Sequence, residues 1–166
     1  MKFICDLCCA ECCRTFVITV TSFDVLRIAE NTGKKPEDFS YLRRLDMLRY
    51  EDNMLVECHD DKFPDYYLLS LKSHPCIFLK DDVCSIHEFK PASCRLYPVM
   101  GNGKKNSRAV CPLFSSIFFS ADKKLIERHN SEKEAYERIV EECNSEKLGK
   151  KDAFDYILRK TKNESV

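Results

Sequence analysis

The stretch Cys5-Asp6-Leu7-Cys8-Cys9-Ala10-Glu11-Cys12-Cys13-Arg14 gathers five of the chain's eleven cysteines near its start. It holds a Cys-x-x-Cys at 5 and 8, another at 9 and 12, and two adjacent pairs. Thiolates at that spacing in a turn converge on one ion at about 2.3 Å, whereas adjacent side chains point apart and serve different centres, or different irons of one cluster. Four more cysteines, Cys76, Cys84, Cys94 and Cys111, arrive singly from widely spaced positions, and Cys58 and Cys143 stand apart. An odd total, in a chain long enough to bury a core, argues against a disulfide framework. Met1-Lys2-Phe3-Ile4 shows no apolar run of the signal-peptide kind, so the expected setting is the cytoplasm, where thiols stay reduced and bind metal. The two cysteine groups must therefore meet in space, with metal as the tie.

Around this centre the composition is ordinary. The 166 residues carry 27 basic and 27 acidic side chains, a balance that favours neither nucleic acid nor an anionic membrane as partner. With 44% hydrophobic and 33% charged residues the chain has the profile of a globular domain, and no stretch approaches the roughly 20 apolar residues that span a bilayer. The expected fold class is α+β: a small, mainly helical single domain with a short β-hairpin region and a loop-rich, cysteine-ligated metal-binding segment. Residues 1–112 are expected to form the cysteine-cluster core, and residues 113–166 to supply helices that pack on the same domain.

Local patterns place the elements. Thr21-Ser22-Phe23-Asp24 opens a helix with Thr21 as N-cap and Asp24 at the third position, and Gly33 stops it. Phe16-Val17-Ile18-Thr19-Val20 before it predicts a short strand. Pro36-Glu37-Asp38-Phe39 predicts a second helix running to about Leu45, since proline and early acids suit a helix start. Residues 47–72 predict β structure, with Met54-Leu55-Val56-Glu57-Cys58 and Tyr66-Tyr67-Leu68-Leu69-Ser70-Leu71 joined across a polar turn. Residues 73–112 leave room for single turns and short hairpins only. Residues 122–148 predict a long packing helix, on which Leu125, His129, Tyr136, Ile139, Val140 and Cys143 form one stripe. Gly149 is expected to end it, and residues 152–162 to form a terminal helix.

Three further runs carry a resemblance: Val20-Thr21-Ser22-Phe23-Asp24-Val25-Leu26-Arg27, Cys76-Ile77-Phe78-Leu79, and Cys84-Ser85-Ile86-His87-Glu88-Phe89-Lys90-Pro91-Ala92-Ser93-Cys94-Arg95-Leu96-Tyr97-Pro98. With the N-terminal cysteines and Cys111 they make residues 3–112 resemble the YkgJ-like CxxCxxCC cysteine-cluster family of zinc- or iron-chelating domains. The resemblance implies eight ligand positions: Cys5, Cys9, Cys12, Cys13, Cys76, Cys84, Cys94 and Cys111. One extra residue in the first motif leaves Cys8 as an alternative to Cys9. His87 and Lys90 stand where the family usually has tyrosine and arginine, and neither change removes a ligand.

Eight thiolates suit two four-cysteine sites, or one cluster and one ion. Their negative charge calls for cations close by, and Arg95 and Lys90, with Arg14 behind them, are the candidates for contact with the bound group. The dense, all-thiolate set points to an iron-sulfur cluster of the 4Fe-4S type, with a redox or cluster-dependent role; structural zinc in a non-catalytic interaction module is the alternative. A third reading is an S-adenosylmethionine-linked protein-modifying enzyme. Cys5, Cys9 and Cys12 have the spacing of radical enzymes that use that cofactor, and a branch resembling this family is called flagellin lysine methylase. A protein partner fits each reading.

Other residues take plainer roles. Cys143 belongs to the core stripe, and Cys58 ends a strand before a polar turn. His74 and His129 face solvent, and His87, inside the cysteine run, is a candidate to orient a ligand. Met100-Gly101-Asn102-Gly103-Lys104 is a hairpin turn and lacks the ending of a nucleotide-binding loop. Phe114, Phe118 and Phe119 are expected beneath the metal sites.

Overall fold

The computed structural model describes residues 10–45, 53–106, 109–110 and 122–164. Cys5, Cys8, Cys9 and Cys111, and the aromatics Phe114, Phe118 and Phe119, lie outside the described residues.

The described chain is a small α+β domain. A short helix α1 (Glu11–Thr15) carries Cys12 and Cys13. Helix α2 (Ser22–Thr32) starts where the capping pattern predicts: Asp24 N donates to Thr21 Oγ1 at 3.3 Å, and Thr21 N donates back to Asp24 Oδ2 at 3.3 Å. Gly33 ends it in the left-handed conformation at φ 67°, where a side chain would be strained although space is open around it.

The second predicted helix is a single turn, α3 (Pro36–Phe39), and the residues expected to continue it form strand β1 (Ser40–Arg44). Proline and the early acids start a helix, but Ser40, Tyr41 and Leu42 alternate between buried and half-buried positions. Pairing with a neighbouring strand then outweighs local helix propensity. That neighbour is β3 (Asp65–Leu71), the centre of an antiparallel sheet in the order β1-β3-β2, where β2 is Val56–Cys58. Ser40 sits opposite Leu71 and Val56 opposite Tyr67. Because β2 covers only the first residues of β3, the rest of that edge is left to residues 16–20. These do not form the expected strand. They make one bridge, Thr19 to Ser70, with Val20 N donating to Leu69 O at 3.0 Å and Leu71 N to Ile18 O at 2.9 Å.

Residues 73–106 hold only a two-residue hairpin, β4 (Leu79–Lys80) with β5 (Val83–Cys84), and one short helix, α4 (Ala92–Leu96). The turn at Met100 is the expected hairpin: Val99 bridges Lys105, and Met100 N donates to Lys104 O at 2.8 Å.

The long helix α5 (Lys123–Ser145) begins where the expected range does, with Asp122 as N-cap, its Oδ1 accepting from Lys124 N at 3.1 Å. Its stripe buries Tyr136, Ile139, Val140 and Cys143 against Val25 and Ile28 of α2 and the inner face of the sheet, including Leu42, Val56 and Leu69. Gly149 does not stop α5. The helix ends before Glu146, Lys147 takes the left-handed conformation at φ 50°, and Gly149 becomes the N-cap of α6 (Lys150–Asn163). Glycine is favoured there by proximity: Asp60 accepts from Lys150 N at 2.8 Å, and a Cβ on Gly149 would stand 2.7 Å from Asp60 Oδ1, so a larger residue would push that carboxylate aside. Ala153 and Ile157 of α6 complete the core, and Thr161 donates its hydroxyl to Ser22 Oγ at 2.6 Å, closing α6 onto the start of α2.

Candidate metal centre

Cys12 and Cys13 reach the second cysteine group through the backbone: Cys76 N donates to Cys13 O at 2.9 Å. One hydrogen bond therefore joins positions 63 residues apart, between α1 and the loop before β4. Next to it a tight turn, Leu79 N to Cys76 O at 2.9 Å, presents Cys76, and a second, His87 N to Cys84 O at 3.2 Å, follows Cys84. Cys94 projects from α4. All five of these thiols are half-buried and unpaired by disulfides.

The electrostatics bear out the closeness. Burial pushes the Cys94 thiol up, and the charges of Cys12 and Cys76 push it further. Burial also raises Cys76, with Cys84 and Cys12 adding to the effect. Cys13 is driven strongly upward, first by its hydrogen bond with Cys12 and then by burial, with Cys94 and Cys76 contributing. Cys12 is lowered to about 7 because the Cys13 thiol donates to its thiolate, burial opposes the shift, and Lys90 assists it. Among the described residues, no three His, Cys, Asp or Glu side chains stand where they could hold a metal ion.

Of the two predicted cationic residues, Lys90 acts on Cys12 and Cys94, and its Nζ lies 3.4 Å from His87 Nε2. Arg95 turns elsewhere. It donates to the Glu88 carbonyl, and its pKa is lowered by burial and then by the charges of Arg27 and Arg128. Arg14 pairs with Asp82 on the surface. The two other cysteines among the described residues lie in the core: burial pushes Cys58 up to about 12 and Cys143 to about 11. His74 is exposed as expected, whereas His129 is half-buried against Gly101 and its pKa is lowered by burial. A cavity of about 420 Å³ beside β1 and α6 contains no cysteine, and two of its lysines are engaged, Lys72 with the Glu37 carbonyl and Lys150 over the Tyr67 ring at 4.7 Å.

A buried polar cluster next to Cys94 is invisible in the sequence pattern. Asp24 and Glu132 are both buried, and Arg27 bridges them, 2.8 Å from Asp24 Oδ1 and 2.5 Å from Glu132 Oε1. Burial alone would lower the Arg27 pKa, but the two carboxylates carry it upward. Glu132 also accepts from Arg128 at 2.8 Å. The one available signal was positional, since Glu132 lies three and four residues from His129 and Tyr136, on the stripe read as apolar.

A family model matches residues 4–144: CxxCxxCC, described as a putative zinc- or iron-chelating domain. No curated protein and no solved structure matches the chain.

Proposed function

Since the chain belongs to the CxxCxxCC family of zinc- or iron-chelating domains, we propose that Cys5, Cys9, Cys12, Cys13, Cys76, Cys84, Cys94 and Cys111 hold an iron-sulfur cluster of the 4Fe-4S type on four of them and a second cluster or ion on the other four. The observation that carries this reading is the joining of the two cysteine groups at the Cys76 N to Cys13 O hydrogen bond, which leaves four thiols close enough to shift one another's protonation. The donor set fits: thiolate ligands select iron-sulfur clusters and zinc over hard cations. When bound, such a cluster supplies one-electron redox chemistry. The protein's part is to present the thiols from separate turns, to offset their charge with Lys90, and to keep the Cys94 side of the site out of water. Arg95, next in sequence to a ligand, anchors α4 through the Glu88 carbonyl and adds positive charge at longer range. Residues 1–112 form this centre and residues 113–166 support it as one unit. Unpaired thiols suit a reducing compartment such as the cytoplasm, and a redox role calls for a protein partner.

A zinc-bound interaction module is the second reading, favoured by the sparse regular structure of residues 73–106, where an ion would supply the cohesion that a core otherwise gives. Anaerobic purification followed by metal analysis, acid-labile sulfide and a visible spectrum separates the two. Brown protein with iron and sulfide in matching amounts is expected. Colourless protein with stoichiometric zinc would replace the cluster by the second reading, and protein with neither metal after reconstitution would overturn both.

A further inference from the structure

The cap of α2 does more than start a helix. Asp24 is buried, and its carboxylate accepts four hydrogen bonds. Thr21 N at 3.3 Å and the Thr21 hydroxyl at 3.2 Å reach Oδ2, while Arg27 at 2.8 Å and Ala92 N at 2.9 Å reach Oδ1. The Ala92 bond crosses 68 residues and lands on the first residue of α4, two positions before Cys94. A five-residue helix cannot hold itself in place, because it closes too few hydrogen bonds to repay its own ordering. The direction of the Cys94 thiol then depends on the anchorage of the helix, to which Arg95 contributes through the Glu88 carbonyl and Asp24, at the helix start, through a charged acceptor in a dry setting, where such a bond is strong. Arg27 and Glu132 hold Asp24 in turn, so the chain Glu132–Arg27–Asp24–Ala92 runs from the long helix α5 to the thiol-bearing helix.

We infer that Asp24 is a positioning residue for the metal centre, aiming Cys94 through the N–H of Ala92, with Arg27 and Glu132 as its supports. The inference rests on the reading of Cys94 as a ligand. It separates two duties in one side chain: Oδ2 serves the helix α2 cap, and Oδ1 serves the metal site. Asp24→Ala removes both. Thr21→Ala removes the cap and leaves the Ala92 acceptor, and Asp24→Asn retains one oxygen for Ala92.

The test is anaerobic titration of the metal-stripped full chain with cobalt(II) against a competing chelator, reading thiolate-to-cobalt absorption, with thermal unfolding measured in parallel. Asp24→Ala is expected to weaken cobalt binding by about 10- to 100-fold, the usual range for the partner that orients a ligand. Thr21→Ala and Asp24→Asn should unfold earlier yet bind cobalt close to wild type. In the double variant Asp24→Ala/Cys94→Ser the affinity should equal that of Cys94→Ser alone, since a thiol already removed has nothing left to be aimed. A purely structural Asp24 would instead give Thr21→Ala and Asp24→Ala losses in proportion to their stability, and additive effects in the double variant; either result overturns the inference. Should Asp24→Ala not fold, Asp24→Asn combined with Thr21→Ala decides it, because unimpaired folding with strongly weakened binding would contradict the role given to the retained oxygen. Wild-type protein that takes up neither cobalt nor iron would overturn the metal-centre reading itself, whereas wild-type binding with unchanged binding in Asp24→Ala overturns the positioning role alone.

Discussion

The two halves of this domain are held together by different physics. Helices α2, α5 and α6 and the three-stranded sheet share a dry core in which Ile28, Leu42, Val56, Tyr136 and Ile157 are almost completely buried. Residues 73–106 contribute Phe78, Ile86 and Leu96 to the buried set but have only two-residue strands and one five-residue helix. The first region buries area that stabilises it without any ligand, at about 25 cal/mol per Å² of apolar surface. The second joins that core through Phe78 and Ile86 and adds individual ties, the Cys76 to Cys13 backbone bond and the Asp24 to Ala92 bond, to which the proposed metal would add another. Such a region can be rearranged by a ligand without unfolding its neighbour, because local opening is cheap where buried apolar contacts are few.

The sharpest way to break the comparison is to remove the metal. After chelation, hydrogen exchange in residues 10–20 and 73–106 is expected to become rapid while the amides of α5 stay protected; structural metal contributes on the order of 10 kcal/mol in small thiolate-bound domains. Uniform protection would mean that both halves share one core. Cys12→Ser and Cys94→Ser should act in the same direction, lowering metal content and admitting protease to residues 73–106, as read by metal analysis and limited proteolysis.

The reverse break is Tyr136→Ala. Its ring is buried where α5 meets the rest of the core, so the loss should be about 3–5 kcal/mol in denaturant unfolding, with the metal-to-protein ratio of the folded fraction unchanged. Cys143→Ser sits lower on the scale, at about 1–3 kcal/mol for burying a hydroxyl where a thiol packed, again with unchanged stoichiometry. Loss of metal from Cys143→Ser would move that cysteine from the core into the site.

Alkaline titration sharpens the same division through the core thiols. Cys58 and Cys143 have folded-state pKa values raised from 9.0 to about 12 and about 11 by burial. A raised thiol pKa means that the unfolded chain loses its proton first. The stability from these buried neutral thiols is therefore whole below pH 9 and is lost as pH rises toward 11 and 12. Denaturant midpoints measured across that window should fall, and should fall less in the Cys58→Val/Cys143→Val variant. The smallest expected effect is Thr21→Ala, about 1 kcal/mol for a lost helix cap, seen as a modest drop in thermal midpoint.

Much of the chain could be read in one dimension, and the reasons are local. The Thr21 and Asp24 cap, the Gly33 stop, the stripe Tyr136-Ile139-Val140-Cys143 and the turn at Met100 all depend on residues within a few positions of one another. Short-range hydrogen bonds and helical spacing decide them wherever they occur. The cysteine spacings likewise point to metal chelation, as the family match does, because soft ligands at that density have few other uses.

Tertiary structure decided what depends on a distant partner. Ser40-Tyr41-Leu42 became a strand because β3 lay beside it, not because its own propensity changed. Gly149 moved from the end of one helix to the start of the next because Asp60, 89 residues earlier, came to cap Lys150. Glu132, an acid on the packing stripe of α5, is buried where Arg27 meets it across 105 residues. Asp24 could be assigned its cap from sequence, but its second bond, to Ala92, exists only once α2 and the Cys94 helix are side by side. Spacing names the candidates for binding metal. Their orientation belongs to long-range hydrogen bonds whose partners no local pattern can specify, since each is formed only when two separately folded pieces pack together.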